Sequence, residues 1–316
     1  MTFKSLLFKS VLKTIAISGV GLTSFFSFSE GTKAENFNMV PCPASGTKTL
    51  SQLQALASED GEFACLHTPD QYKLTIYEMG LCEFDPMTTG AFVKANNNCV
   101  QTMLSVSGTE VDLAPGTASS KSAALPSSSV RPASGIYNYA YVLLSNAFKM
   151  KGSYELLDGT TYKSKELTDI WGKYGVADKS IDTAEEHIDL VDNMYFGDEE
   201  NGWDGYMSPT AMPGGGNVSA LLLKNCIGDT CTGDDALAES QGQVKRLLGV
   251  FETNSGFPVE ITNSTNGLEV ELVVKADPND PSNSGGGYLL IGWDEGSGFD
   301  LREFGSAPFK PKFTTF

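Results

Sequence analysis

Alternating apolar and polar positions recur along the chain and predict a fold built mainly from β-strands. In the segment 72–77 every second residue is apolar, which is typical of a strand with one buried face. The segment 135–144 carries tyrosines on one parity and aliphatic residues on the other, so both of its faces are expected to be covered. Four more segments are predicted strands: 111–113, 218–223, 244–251 and 287–292.

Two turn signals predict β-hairpins. Asp158-Gly159 separates the segments 154–157 and 160–162, and Asn266-Gly267 separates 259–262 from 268–274. In the segment 268–274 leucine and valine alternate with glutamate, so one face of the strand is expected to be buried and the other exposed to solvent. This pattern favours antiparallel pairing. The last residues, 310–316, are expected to dock as a strand on the fold or on a neighbouring copy.

The middle of the chain has a different periodicity. Ile181, Ala184, Ile188 and Val191 follow helical spacing, and a Thr-x-x-Glu capping box begins at residue 183. The pattern predicts a short helix between residues 181 and 191, with glycine-rich and acidic loops around it.

Short strands with frequent turns predict a mainly β protein of disulfide-stabilised antiparallel β-sandwich modules, with a minor helical and loop-rich middle segment. We expect an N-terminal β-sandwich module with four cysteines (35–165), a loop and helix connector (166–216) and a C-terminal antiparallel β module (217–316). A single sandwich with insertions is the alternative.

The first 34 residues have the layout of a cleavable secretory signal peptide. Lys4, Lys9 and Lys13 precede an apolar run of small residues, and Thr32-Lys33-Ala34 offers a cleavage site. The apolar run is shorter than the ~20 residues that a spanning helix needs. An uncleaved membrane anchor is the alternative. The expected location is therefore secreted, periplasmic or cell-surface, without an integral membrane span after cleavage.

The charge balance narrows the range of partners. The chain has 22 Lys and Arg against 39 Asp and Glu, a net charge of −17. The segment 1–34 holds four of the lysines and one of the acids, so its removal leaves −20. Such a charge excludes nucleic acid as the main partner, because phosphate backbones repel it.

Six cysteines in an exported chain predict three disulfides. Cys226 and Cys231 enclose a short Gly-Asp loop and are expected to pair locally. Cys42, Cys65, Cys82 and Cys99 are expected to pair among themselves, and three arrangements remain open. The alternative is zinc binding by Cys65 and His67, but the sequence has no CxxC pair, and its second histidine is the distant His187.

Two groups of residues are candidate binding sites. Trp171, Trp203 and Trp293 lie in loops or at strand ends, where aromatic rings stack on sugars or fill a groove of a partner, although ordinary packing is the simpler interpretation. Acidic loops supply the hard oxygen ligands that calcium prefers, although acidic turns are common without metal. These candidate ligands are Asp198, Glu200 and Asp204 in one loop and Asp277 and Asp280 in another.

The sequence offers no recognisable catalytic constellation. It contains no Gly-x-Ser-x-Gly nucleophile elbow, and no pair of carboxylates stands out among many. We therefore expect a secreted or cell-surface, non-catalytic structural or adhesive protein, which binds itself or other surface proteins. No cofactor is expected for that role. A carbohydrate-binding protein that uses the tryptophan loops, with calcium as a candidate cofactor, is the first alternative. A glycan hydrolase with unidentified carboxylates is the second.

Overall fold

The computed structural model describes twelve segments of the chain. They are residues 40–57, 63–88, 90–95, 97–114, 130–169, 172–191, 205–211, 216–253, 258–274, 286–294, 298–307 and 309–316. Within these ranges the protein is mainly antiparallel β-sheet, as the alternating pattern predicts, and it contains three disulfides.

The strands in chain order are β1 (Phe63–His67), β2 (Gln71–Cys82), β3 (Met87–Thr88), β4 (Ala91–Phe92), β5 (Cys99–Asp112), β6 (Gly135–Tyr137), β7 (Tyr139–Ser145), β8 (Ala147–Lys151), β9 (Ser153–Glu155), β10 (Thr161–Asp169), β11 (Gly172–Asp178), β12 (His187–Leu190), β13 (Tyr206–Ala211), β14 (Asn217–Leu223), β15 (Arg246–Glu252), β16 (Val259–Ile261), β17 (Leu268–Val273), β18 (Gly287–Asp294), β19 (Gly298–Ser306) and β20 (Lys310–Thr315). Helical turns are short. They comprise helix α1 (Leu50–Gln54) and three 3-10 turns at Gly228–Cys231, Asp234–Ala236 and Gln241–Gln243.

Helix α1 is fixed by its N-terminus and by one buried side chain. The Thr49 side chain accepts a hydrogen bond from the Gln52 backbone, and the Gln52 side chain accepts one from the Thr49 backbone. This capping box satisfies backbone donors that the first turn of a helix leaves open. Leu53 is fully buried in a core shared with β18 and β19, so α1 covers one face of their sheet.

Two large antiparallel sheets make up most of the fold. Sheet A has the order β1-β18-β19-β11-β10-β9, and sheet B has the order β12-β8-β2-β7-β15-β14-β13, with β5 paired to β2. Three two-stranded pairs, β16-β6, β17-β20 and β3-β4, complete the described strands. Strands of the predicted N-terminal, connector and C-terminal segments share both large sheets, so the predicted boundaries do not separate one sheet from another.

Sheet B is apolar on both faces, as the two parities of residues 135–144 predict. On β7, Val142 and Leu144 belong to one hydrophobic core, which we call the first core, whereas Tyr141 and Leu143 belong to another, the second core. Strand β14 repeats this alternation. The first core also receives Val270 and Leu272 of β17, which shows that the β17-β20 pair packs over sheet B.

A bulge in the middle of β2 reverses the direction of its side chains. The register of β2 shifts between Ile76 and Glu78 against both of its neighbours, β5 and β7. Ile76 and Met79, which an unbroken alternation would place on opposite faces, both enter the first core. The bulge thereby turns Glu78 away from that core.

One predicted hairpin is confirmed and the other is wrong. Strands β9 and β10 pair across Asp158-Gly159 as expected. The strands on either side of Asn266-Gly267 form, but β16 pairs with β6 and β17 pairs with β20. The backbone N–H groups of Asn266 and Gly267 both donate to the Phe316 carbonyl oxygen. These donors therefore support the β17-β20 pairing instead of closing a two-residue turn.

The helix predicted between residues 181 and 191 is also wrong. His187–Leu190 forms β12, which pairs with β8. The backbone N–H of Glu185 donates to Ser164, and that of Val191 donates to Asn146. Because its backbone donors are used in pairing with other strands, the segment is extended in spite of its helical periodicity.

The three disulfides confirm the local Cys226–Cys231 pair and the pairing of the other four cysteines among themselves. They join Cys42 to Cys65, Cys82 to Cys99 and Cys226 to Cys231. The first two select one of the three arrangements that the sequence leaves open, and they remove Cys65 as a zinc ligand. In the described part of the chain, no helix is both long enough and apolar enough to cross a membrane.

Candidate functional sites

A carboxylate, a lysine and a tyrosine meet on the face of sheet B that carries the second core; we call Glu78, Lys94 and Tyr141 the buried triad. The β2 bulge directs Glu78 to this face, Tyr141 lies on the neighbouring β7, and Lys94 follows β4. Glu78 Oε1 accepts hydrogen bonds from Lys94 Nζ at 2.5 Å and from Tyr141 Oη at 2.7 Å. One carboxylate oxygen thus receives both donors.

The buried triad is almost closed to solvent. The side chain of Glu78 is 1% exposed and that of Lys94 is 14% exposed. Lys94 Nζ lies 5.9 Å from the ring centroid of Phe92 and 5.6 Å from that of Tyr141, within the range of cation–π attraction. Burial raises the pKa of Tyr141, and the charge of Glu78 raises it further, so this hydroxyl remains a hydrogen-bond donor.

A glycine makes room for the tyrosine of this triad. Gly80 lies directly opposite Tyr141 in the register of β2 and β7. A Cβ at Gly80 would overlap the tyrosine ring, so the ring lies flat over the glycine backbone. Tyr288 covers Gly305 in the same way on sheet A.

The short disulfide loop supplies a second carboxylate. Asp229 lies in the 3-10 turn between Cys226 and Cys231, and its Oδ1 is 3.7 Å from Lys94 Nζ. The loop is held against β4 because the Gly233 N–H donates to the Phe92 carbonyl. The Asp229 side chain itself faces solvent, so its attraction to Lys94 is weak.

A similar set of groups lies on sheet A; we call Asp300, Lys179 and Tyr162 the surface triad. Lys179 Nζ is 2.9 Å from Asp300 Oδ2 and 3.2 Å from Tyr162 Oη, and the Tyr162 hydroxyl donates to Asp300 Oδ1. Lys179 Nζ also lies 5.2 Å from the Tyr162 ring centroid. Burial raises the pKa of Tyr162 to about 12, with a further contribution from Asp300 that Lys179 opposes.

His187 is buried where sheets A and B meet, whereas His67 is half-buried on β1 with its Nε2 closed to solvent. The His67 ring lies 5.5 Å from that of Phe304, and His187 lies over Gly175, the residue paired with Phe304. Among the described residues, Nε2 of His67 has no hydrogen-bond partner. Burial lowers the pKa of His67 to about 4, and it also lowers that of His187, against the opposing charge of Asp189. Both rings are therefore neutral at pH 7.

Trp293 is the one predicted tryptophan that falls within the described residues. It lies on β18 opposite Phe299 of β19, and the two rings meet edge to face with centroids 6.1 Å apart. Gly298 has a positive φ of 84° and lies next to the indole ring. The tryptophan is 57% exposed, so Phe299 holds a ring that still presents a large area to solvent.

The other predicted site residues lie outside the described part of the chain. These are Trp171 and Trp203 among the tryptophans, and Asp198, Glu200, Asp204, Asp277 and Asp280 among the candidate calcium ligands. Within the described ranges, no group of three or more His, Cys, Asp or Glu side chains could hold a metal ion.

Sequence reasoning missed both triads. Their members are far apart along the chain, and no motif spacing connects them. The available signal is the single glutamate in the otherwise apolar run from Ile76 to Leu81, because a lone acid in a buried strand requires a partner. Comparison with protein-family models, curated proteins and solved structures finds no match to this chain.

Proposed function

We propose that this protein is an exported, non-catalytic structural or adhesive β protein. The three disulfides support export, because such bonds persist in oxidising compartments. The basic and apolar layout of residues 1–34 supports it independently.

The observation that carries the proposal is that carboxylates and histidines contact other residues of the same chain. The carboxylates of Glu78 and Asp300 are each bound by a lysine and a tyrosine of the same chain. Both histidines are neutral, His187 is enclosed by the sheets, and the His67 ring lies against that of Phe304. These carboxylates and histidines thus serve internal contacts, whereas a hydrolase needs such groups facing its substrate.

Self-association is the expected mode of action, and the net charge sets its conditions. Copies that each carry −17, or −20 after loss of residues 1–34, repel one another at long range. Salt reduces this repulsion because the Debye length falls from about 30 Å at 0.01 M to about 8 Å at 0.15 M. Assembly should therefore strengthen as ionic strength rises.

Sedimentation velocity of the mature chain at low and physiological ionic strength tests the proposal, with electron microscopy of the same samples. We expect larger species at the higher salt concentration, together with binding to cells or to immobilised copies of the chain. A monomer at every salt concentration, with no binding to cells, glycans or itself, would contradict the structural or adhesive role.

Carbohydrate binding is the second candidate, and the exposed ring of Trp293 is the observation that favours it. An aromatic ring anchored on one edge and open to solvent stacks on the apolar face of a sugar at little entropic cost. A glycan array with the wild type, Trp293→Ala and Phe84→Ala tests this candidate. Phe84 is a matched control because it is 58% exposed and lies elsewhere on the surface.

The expected result is a glycan signal that Trp293→Ala abolishes and Phe84→Ala preserves. A wild type without signal, or equal losses in both variants, would remove this candidate and leave the structural role untouched.

A further inference from the structure

The buried triad brings an amine and a carboxyl group into contact in a site nearly closed to solvent. Lys94 Nζ lies 2.5 Å from Glu78 Oε1. The carboxyl carbon Cδ lies one C–O bond beyond that oxygen, so it is at most about 3.7 Å from Nζ. Reacting atoms in a near-attack arrangement are roughly 3–3.5 Å apart. Nitrogen and carbon are therefore held close to the distance at which an amide bond could form.

The surroundings favour reaction over a lasting ion pair. A charged pair loses much of its hydration when it is buried, so little water is present to compete with the contact between the two groups. Fixed orientation contributes an effective concentration of about 10⁵–10⁸ M, which offsets the unfavourable equilibrium of the same condensation in water.

Two further groups lie where the reaction needs them. The Tyr141 hydroxyl donates to Glu78 Oε1 at 2.7 Å, so it would stabilise negative charge on that oxygen as nitrogen attacks Cδ. The Asp229 carboxylate, 3.7 Å from Lys94 Nζ, is placed to accept a proton from the ammonium group. Acceptance of that proton would free the nitrogen lone pair.

We propose that Lys94 and Glu78 condense to an intramolecular amide that cross-links β2 to the segment after β4. The Nζ–Cδ bond forms and the Cδ–Oε2 bond breaks. Oε2 leaves as water with two of the three ammonium protons, and Oε1 remains as the amide oxygen, still bonded to Tyr141. An ammonium and a carboxylate thus give one amide and one water, without oxidation, reduction or a cofactor.

The surface triad provides an internal control with the same functional groups. Lys179 is 53% exposed and Asp300 is 17% exposed, so water solvates the ion pair and can attack any acyl intermediate. We expect Lys179 and Asp300 to remain an ion pair.

Mass spectrometry of the exported, mature wild-type chain tests the proposal. After reduction of the disulfides, the expected mass is lower than that of the sequence by one water. The sequence has no lysine or arginine between Lys73 and Lys94, so both groups fall on one tryptic product. The digest should contain the segment 74–121, uncut after Lys94 and lighter by one water, because trypsin does not cut after an acylated lysine. Chymotryptic cleavage after Phe84 should then open this loop into a branched peptide.

Variants assign the cross-link to the triad. Lys94→Arg should restore the full mass, and Lys179→Arg should leave the loss of water unchanged. Tyr141→Phe should slow formation by about a hundredfold, which leaves unlinked chain in freshly purified protein. Circular dichroism establishes that each variant is folded.

A folded wild type that yields linear peptides with free Lys94 and Glu78 overturns the proposal, whatever the variants do. A loss of water that maps to a succinimide at Asp158-Gly159, with linear peptides at the triad, overturns it equally.

Discussion

The buried triad and the surface triad contain the same three chemical groups in different surroundings. In each, a lysine ammonium and a tyrosine hydroxyl bond a single carboxylate, and the lysine lies near the tyrosine ring. The carboxylate is 1% exposed in Glu78 and 17% exposed in Asp300. The lysines differ more, because water reaches half of Lys179 and little of Lys94.

This difference determines what each triad contributes. Water can solvate Lys179 if Asp300 is lost, so the surface triad adds little to the free energy of unfolding. Water cannot replace Lys94 as the partner of Glu78. Removal of Lys94 therefore leaves a charge buried among aromatic rings. The comparison shows that burial, and not the chemical identity of the groups, determines how much such a contact contributes to the free energy of unfolding.

The largest expected effect comes from removing each lysine in turn. Lys94→Met should lower the free energy of unfolding by about 3–5 kcal/mol, because it leaves the Glu78 carboxylate buried without its partner, whether an ion pair or the proposed amide joins the two in the wild type. Lys179→Met, the matched control, should lower it by less than about 1 kcal/mol. Urea denaturation of both variants measures the two values, and equal losses would refute the distinction between the triads.

Lowering the pH provides the second test, because it protonates the histidines. The pKa of His67 is about 4 in the folded protein and near 6.5 when unfolded, so the unfolded chain binds the extra proton. Stability from this residue is complete above pH 6.5 and declines as the pH falls to about 4, by about 3 kcal/mol.

Urea denaturation between pH 7 and pH 4 measures this decline. His67→Phe should reduce it, and it should have the same size in Lys179→Met as in the wild type. A decline that His67→Phe leaves unchanged would mean that other groups govern acid stability.

A methyl group at Gly80 should disturb the buried triad and leave the surface triad unchanged. The Cβ of Gly80→Ala would push the Tyr141 ring away and weaken its hydrogen bond to Glu78, at a cost of about 1–3 kcal/mol. Gly242→Ala is the control, because its Cβ would meet nothing within 4 Å, and it should change stability by less than about 0.5 kcal/mol. Thermal unfolding measures both, and similar values would show that Tyr141 moves freely.

The smallest expected effect is on the titration of the two tyrosines. The pKa of Tyr162 is about 12 in the folded state, so its stabilising contribution is complete below pH 10 and is lost as the pH rises through 12. The pKa of Tyr141 is raised further, so it should ionise only on unfolding. The step in tyrosinate absorbance near pH 12 should shrink in Tyr162→Phe to the part contributed by Tyr154, whose pKa burial also raises to about 12, and it should keep its full size in Tyr141→Phe.

Strand positions could be predicted from the sequence, but several pairings could not. Alternation locates β2 and β7, and short apolar runs locate β14 and β18, because a half-buried or buried strand leaves a local pattern of apolar residues. Asn266-Gly267 misleads because Phe316, distant in sequence, takes up its backbone donors. The periodicity at 181–191 misleads because pairing with β8 outweighs local helical preference.

The buried triad was hidden from sequence reasoning by the bulge in β2. A strict period of two places Glu78 on the same face as Tyr72, Leu74 and Ile76, within the first core. One extra residue in the pairing turns the carboxylate to the other face, where Tyr141 and Lys94 lie. A bulge depends on the pairing partner, so the residues of β2 alone do not reveal it.

The spacing of the disulfides has a mechanical consequence. The bonds close short loops, with sequence separations of 23, 17 and 5 residues. The pairing of β1 with β18 instead joins residues more than 200 positions apart through hydrogen bonds and packing. A force that pulls these strands apart would open sheet A while each small covalent ring stays closed. The stretched molecule would keep its three disulfides, and the strands of sheet A could pair again when the tension is released.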